Sequence, residues 1–289
     1  MKNSARYARK VKKLLSGARA PGPEERPEPI RLLVRAVLAE DATARQAEAA
    51  MAAVAEEFLD FNELRIAPIK DVVECLGRDY PQARRKADML NSALRGVFEQ
   101  SNALSLDFLG QETKREVRRF LRERLGLSLY AESVLTLRAF EGHAIPVDAL
   151  LLEALKMGGY IDAGSDLPDL QGFLERITPA KDDLAAHEAL RRYADRTAPK
   201  VFREWARREK AAREAREKAE AEARAKAEAK AKAEAEAKAK AEAEAKARKK
   251  ARAKAARKKK KAGAAPAKKP ARKKKKKAAR AGTAAKRKK

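Results

Sequence analysis

The sequence predicts an all-α protein: a folded helical domain, then a long solvated charged helix, then a disordered basic tail. Three observations predict it. No run of β-branched residues alternates with polar ones, so strand signals are missing from the 289 residues. Apolar residues recur at helical spacing instead, as Ile30, Leu33, Val34, Val37 and Leu38 do. The composition also changes abruptly near residue 206. Residues 206–289 carry 36 Lys and Arg against 10 Asp and Glu, whereas residues 1–205 carry 33 against 32. The net charge of +27 therefore belongs to the C-terminal region.

In chain order, residues 1–27 read as a basic leader, partly helical and mostly solvated, followed by a linker whose prolines block helix at the residues before them. A helix follows from about Ile30 to Leu38. The polar break Glu40-Asp41-Ala42-Thr43 then caps an alanine-rich helix reaching Phe58. Short helices come next, broken at Pro68, Gly77 and Pro81, and Leu106, Phe108 and Leu109 form a buried turn. Residues 120–157 hold the stretch that organises the rest. One helix ends at the turn Leu125-Gly126-Leu127-Ser128, a second runs from about Leu129 to Phe140, and a third is opened by Asp148. Gly158-Gly159 closes that third helix. Two more span residues 166–177 and 182–193, and Pro199 marks the expected edge of the fold, giving one domain over residues 28–200.

Residues 201–248 are expected to form the charged helix, and from Arg207 alanine stands at nearly every second position with Glu, Lys and Arg between. All are strong helix formers, but none is large enough to build a coiled-coil seam. Pairs such as Glu228/Lys232 and Glu234/Lys238 stand four apart with the acid first, the order that supports an isolated helix. Residues 249–289 hold 22 basic side chains and no acid, interrupted by Gly263, Pro266 and Pro270, so self-repulsion predicts disorder. Such a segment is expected to bind polyanions, with Lys258, Lys259, Lys260, Lys273, Lys274 and Lys275 among its DNA contacts. The tail resembles the lysine-alanine-proline tails of linker histones in composition.

The single cysteine, Cys75, excludes an intramolecular disulfide or a cysteine-based cluster and fits a reducing cytoplasm. No stretch approaches the ~18 apolar residues of a membrane helix. Neither histidine, His143 or His187, has metal-ligand spacing to a second His or Cys, so no metal and no cofactor is expected.

Three segments in order carry a family resemblance. PIRLLVRAVLAEDAT, RERLGLSLYAESVLTL and AIPVDALLLEAL resemble, over roughly residues 28–195, the endonuclease III superfamily of helix-hairpin-helix DNA glycosylases. The resemblance implies a two-lobed helical domain in which the hairpin at Gly126, Leu127 and Ser128 grips DNA backbone, with Arg122 and Arg124 adding charge. It implies that Asp148 stabilises positive charge on the sugar and orients water. Asp148 equally reads as an ordinary N-cap, a role it would have in any fold. Lytic members carry a lysine where this chain has Tyr130. A phenol forms no imine, so the resemblance implies a monofunctional enzyme with Tyr130 as a pocket wall. The iron–sulfur ligands of many relatives are missing. Family hairpins carry a second glycine where Ser128 stands, and Glu40 or Asp41 occupies the corner whose polar side chain enters the DNA stack in relatives. Two readings follow. One is a base-excision DNA glycosylase, cytoplasmic and nucleoid-associated, acting as a monomer on DNA and not on membranes. The other is an inactive relative that binds or compacts DNA through its tail.

Overall fold

The computed structural model describes residues 4–18 and 27–262. Among them there are helices and turns but no strand. Residues 1–211 form one compact unit, and residues 212–289 fall in a second.

The first unit has two hydrophobic cores. The N-terminal helix α1 is Ser4–Leu15. Helices α2 (Pro29–Ala39) and α3 (Ala44–Glu57) meet at the polar corner, where Thr43 caps α3 reciprocally with Gln46. Three more helices complete this side: α4 (Phe61–Ile66), α5 (Ile69–Leu76) and α6 (Ala83–Ser101), separated at Pro68 and Gly77 as the sequence predicts. A short turn, Asp107–Gln111, buries Leu109. Then α7 (Lys114–Arg119) widens into a π turn, Phe120–Arg124, before the hairpin, and α8 (Leu129–Arg138) leaves it. Helices α2 to α8 enclose the first core around Leu33, Leu64, Leu94, Leu121 and Leu135, all without solvent exposure.

The second core is built by α9 (Ala149–Met157), α10 (Leu167–Ile177) and the start of α11 (Asp183–Ala262), joined by α1. Asp148 and Asp166 cap α9 and α10 through Leu151 N–H and Asp169 N–H. Gly159, with φ of +65°, takes the left-handed turn that ends α9.

Three expectations are corrected. The leader is not mostly solvated: Val11 of α1 is fully buried, Tyr7, Ala8, Leu14 and Leu15 pack on the second core, and Lys10 Nζ donates to Gly159 O at 2.7 Å. Its basic residues hid a short apolar stripe at helical spacing. Pro199 does not end the fold either. It lies within α11, and Ala198, Val201, Phe202 and Trp205 on both sides of it join the second core. Proline inside a helix removes a hydrogen bond at about 3 kcal/mol, which the packing of those flanking side chains offsets. Finally, residues 249–262 are helical. Lysine, arginine and alanine keep their helix preference without acids, and the first strong breaker is Gly263.

In the second unit every described side chain is exposed. The expected pair Glu228/Lys232 forms at 3.0 Å, both partners at least 70% exposed, a geometry that contributes little beyond local helix support. Lys258 is exposed there. The side chains of Lys259 and Lys260, and all of Lys273, Lys274 and Lys275, lie outside the described residues, as does the expected disordered segment beyond residue 262.

Candidate functional site

The site forms where the two cores face each other, and two carboxylates build it. Asp41, held at φ of +53°, turns its side chain onto the N-terminus of α9. Its Oδ1 accepts from Ala149 N at 2.7 Å and Leu150 N at 3.2 Å, and its Oδ2 accepts from Gln82 Nε2 at 2.6 Å. Asp148 takes the next donor of the same helix, Leu151 N, on Oδ1 at 2.8 Å. Its Oδ2 accepts from Asp41 N at 3.0 Å and from Arg191 Nη1 at 2.9 Å. Two negative charges therefore share one helix N-terminus, where exposed N–H groups and the helix dipole favour them. Burial, and then the Asp148 charge, raise the Asp41 carboxyl above its usual range.

Asp148 is 1% exposed, and Arg191 closes it off. The Arg191 side chain, 11% exposed, also donates through Nη2 to Ala42 O. It thereby ties the α2–α3 corner, α9 and α11 together across the junction of the two cores. Sequence reasoning missed it. A faint signal was present: His187, Arg191 and Asp195 recur every four residues, beside the apolar stripe Ala186, Leu190, Ala194 and Ala198. That spacing puts a polar row on the margin of the buried face.

The flanking groups are buried too. Glu40, 6% exposed, lies near Arg85 at 3.4 Å and close to the Ser128 hydroxyl, and burial raises its carboxyl. Lys86 of α6 is a cation, a side chain that solvent ordinarily takes. It is instead 1% exposed, donates to Leu38 O at 3.0 Å, and is pushed down to about 8, chiefly by burial. Tyr130 is 3% exposed, and burial pushes its phenol up to about 12.

Beside Asp148, on the other side of Arg191, a pocket of ≈ 190 Å³ opens between α2, α3, α8 and α11, with Tyr130, His187 and Arg191 in its wall. The Tyr130 ring centre lies 6.4 Å from that of His187 and 5.7 Å from the Arg191 guanidinium carbon. Tyr130 lines this pocket, while Asp148 does not.

The hairpin is formed as a compact turn. Leu127 N donates to Leu121 O at 3.1 Å, and Leu127 is buried under the turn. Gly126, exposed at φ of +66°, sits where a side chain would be strained. Ser128 serves as N-cap of α8, its Oγ accepting from Ala131 N at 3.2 Å. Arg124 is exposed on the approach to the turn. Arg122 is committed elsewhere: with Arg118 it holds the fully buried Glu132, at 2.8 Å and 2.7 Å, and Thr136 Oγ1 adds a third donor at 3.1 Å. The hairpin thus gathers a glycine turn and the exposed Arg124, with the Glu40 carboxylate close behind.

His143 is a loop anchor, its Nδ1 2.6 Å from Asp183 Oδ2 and its Nε2 3.1 Å from Glu175 O. Burial opposes the charged ring, but the Asp183 carboxylate outweighs it and the pKa rises. Among the described residues no group of three or more His, Cys, Asp or Glu could hold a metal ion.

The fold and site define a two-lobed, all-helical domain with a hairpin and an aspartate-capped helix at the junction. No family model and no curated protein matches the chain. Solved structures do. An endonuclease III–DNA covalent intermediate is similar at 18% identity and a TM-score of 0.47, covering 66% of this chain and 84% of that one. An 8-oxoguanine glycosylase/lyase of Clostridium acetobutylicum bound to DNA is similar at 15% identity and 0.48, covering 69% and 71%. A thermostable thymine-DNA glycosylase follows at 16% and 0.45, covering 66% and 85%. At these identities the likeness says nothing about activity, and the function of this chain has to be argued from its own side chains.

Proposed function

We propose that this chain is a DNA-binding protein built on a helix-hairpin-helix glycosylase-like domain, in which Asp148 links the two lobes and excises no base. The observation that carries this is the state of the Asp148 carboxylate. It is 1% exposed, with Leu151 N–H on one oxygen and both Asp41 N–H and Arg191 on the other. To stabilise a sugar cation or activate water, that carboxylate must face the reacting atoms with its charge uncompensated. Here a guanidinium neutralises it.

DNA affinity is assigned to the C-terminal region. Residues 212–289 hold 33 Lys and Arg against 9 Asp and Glu, and their described side chains are exposed. Phosphate contacts by such a segment release counterions whatever the sequence. The folded unit, with 36 basic and 33 acidic residues, offers little long-range attraction.

A second reading, a monofunctional glycosylase using Asp148 and Tyr130, is favoured by one feature: Arg191 and Tyr130 line the same pocket, so the swing of a single side chain would bare Asp148. One experiment separates them. The full chain and Asp148→Asn are incubated with duplexes carrying uracil, a T·G mismatch, thymine glycol or 8-oxoguanine opposite adenine, then treated with alkali to cut at abasic sites. The binding reading expects no cleavage from either protein. Cleavage by wild type that disappears in Asp148→Asn would overturn it.

A further inference from the structure

His187 is the residue the fold leaves unexplained. It is 5% exposed, and neither ring nitrogen has a hydrogen-bond partner among the described residues, although buried polar groups are nearly always paired. Its ring lies in the wall of the pocket beside Tyr130. Burial first, then Arg138 and Arg191, push its pKa down to about 3, so it stays neutral at physiological pH. A neutral imidazole presents one donor and one acceptor. The occupant that satisfies both nitrogens must accept one hydrogen bond and give another.

The charges around the pocket narrow the choice. Its two acids are occupied: Glu188 pairs with Arg138, and Asp195 accepts from Ala44 N at 3.1 Å and lies 3.9 Å from Arg191. Arg191 is committed to Asp148. Arg35 on α2 and Arg192 on α11 also line the pocket; both are exposed and neither has an acidic partner among the described residues. Two uncompensated guanidinium groups thus stand at the mouth and an unpaired donor–acceptor ring inside. Carboxylates have acceptors but no donor. A singly protonated phosphate has both, and its oxygens match the guanidinium fork.

We infer that this pocket binds an oxyanion of the phosphate class, free or as the terminal phosphate of a nucleic acid, with Arg35 and Arg192 as clamps and His187 as the inner contact. This goes beyond tail-driven DNA binding, which requires no pocket. The chain has only two histidines, so ring signals of the full-length protein can be followed separately, with His143 as internal reference. The histidine-labelled protein is titrated with inorganic phosphate, with a 5′-phosphorylated oligonucleotide, and with the same oligonucleotide bearing a 5′-hydroxyl, at matched ionic strength.

A saturable shift at His187 with inorganic phosphate, with the 5′-phosphorylated strand, or with both supports the site and identifies the source. The Arg35→Ala/Arg192→Ala protein should raise Kd about tenfold or more, and as both residues are exposed, the His143 signal should stay in place. Three results would overturn the inference: no response of His187 to either phosphate, an equal response to the 5′-hydroxyl strand, or unchanged affinity in the double variant.

Discussion

Replacing Asp148 by alanine tests whether this side chain holds the two lobes together. The substitution removes the cap on Leu151 N–H, worth about 1 kcal/mol. It leaves Asp41 N–H, 3% exposed, without its acceptor, at about 1–3 kcal/mol. It also strands the Arg191 charge, 11% exposed, without its ion-pair partner. Removing one member of a buried pair typically destabilises by about 3–5 kcal/mol, a range that includes the overlapping local losses. For a unit of this size that lowers Tm by about 6–20 °C. Arg191→Met should cost less, because the carboxylate left behind keeps two backbone donors at a helix N-terminus. A double-mutant cycle by urea denaturation should then return a coupling of about 1–3 kcal/mol between the two positions. A loss below about 1 kcal/mol in Asp148→Ala, or additive single variants, would refute the linking role and return the carboxylate to the catalytic reading.

Three other outcomes are expected. Removing residues 212–289 should flatten the salt dependence of DNA binding, which for eight phosphate contacts has a log–log slope of roughly −7; an unchanged slope in a filter-binding series would place the contacts on the folded unit. Deleting residues 1–18 should lower Tm, because Val11 is fully buried in the second core, whereas a solvated leader would leave the melting curve where it is. His187 is lowered in the folded state to about 3 against an ordinary value near 6.5, so the unfolded chain takes up a proton first. The stability contributed by the neutral ring is therefore present above pH about 6.5 and is lost as pH falls toward 3. His187→Phe should show a shallower acid decline in denaturation midpoint than wild type, and parallel profiles would contradict the burial argument.

Much of the framework was legible in the residue pattern because it rests on local chemistry. Caps at Thr43 and Asp148, breaks at Pro68 and Gly77, and the glycine turn at Gly126 are each decided within a few residues of sequence. Apolar spacing likewise located the buried face of α2. Local rules failed where a distant partner overrode them. Pro199 breaks an isolated helix, yet the second core holds α11 through it. Lys86 reads as a surface cation, yet it lies against Leu38 O and over the Tyr80 ring. Arg122 reads as a phosphate contact, yet Glu132 holds it.

The sequence by itself determined that this is a helical protein with a separate, strongly cationic extension, because helix preference and net charge are sums over neighbouring residues. Only the tertiary structure decided what Asp148 does. Its meeting with Asp41, 107 positions earlier, and Arg191, 43 positions later, depends on how two lobes close on each other, and a carboxylate's chemistry is set by which charges and donors surround it.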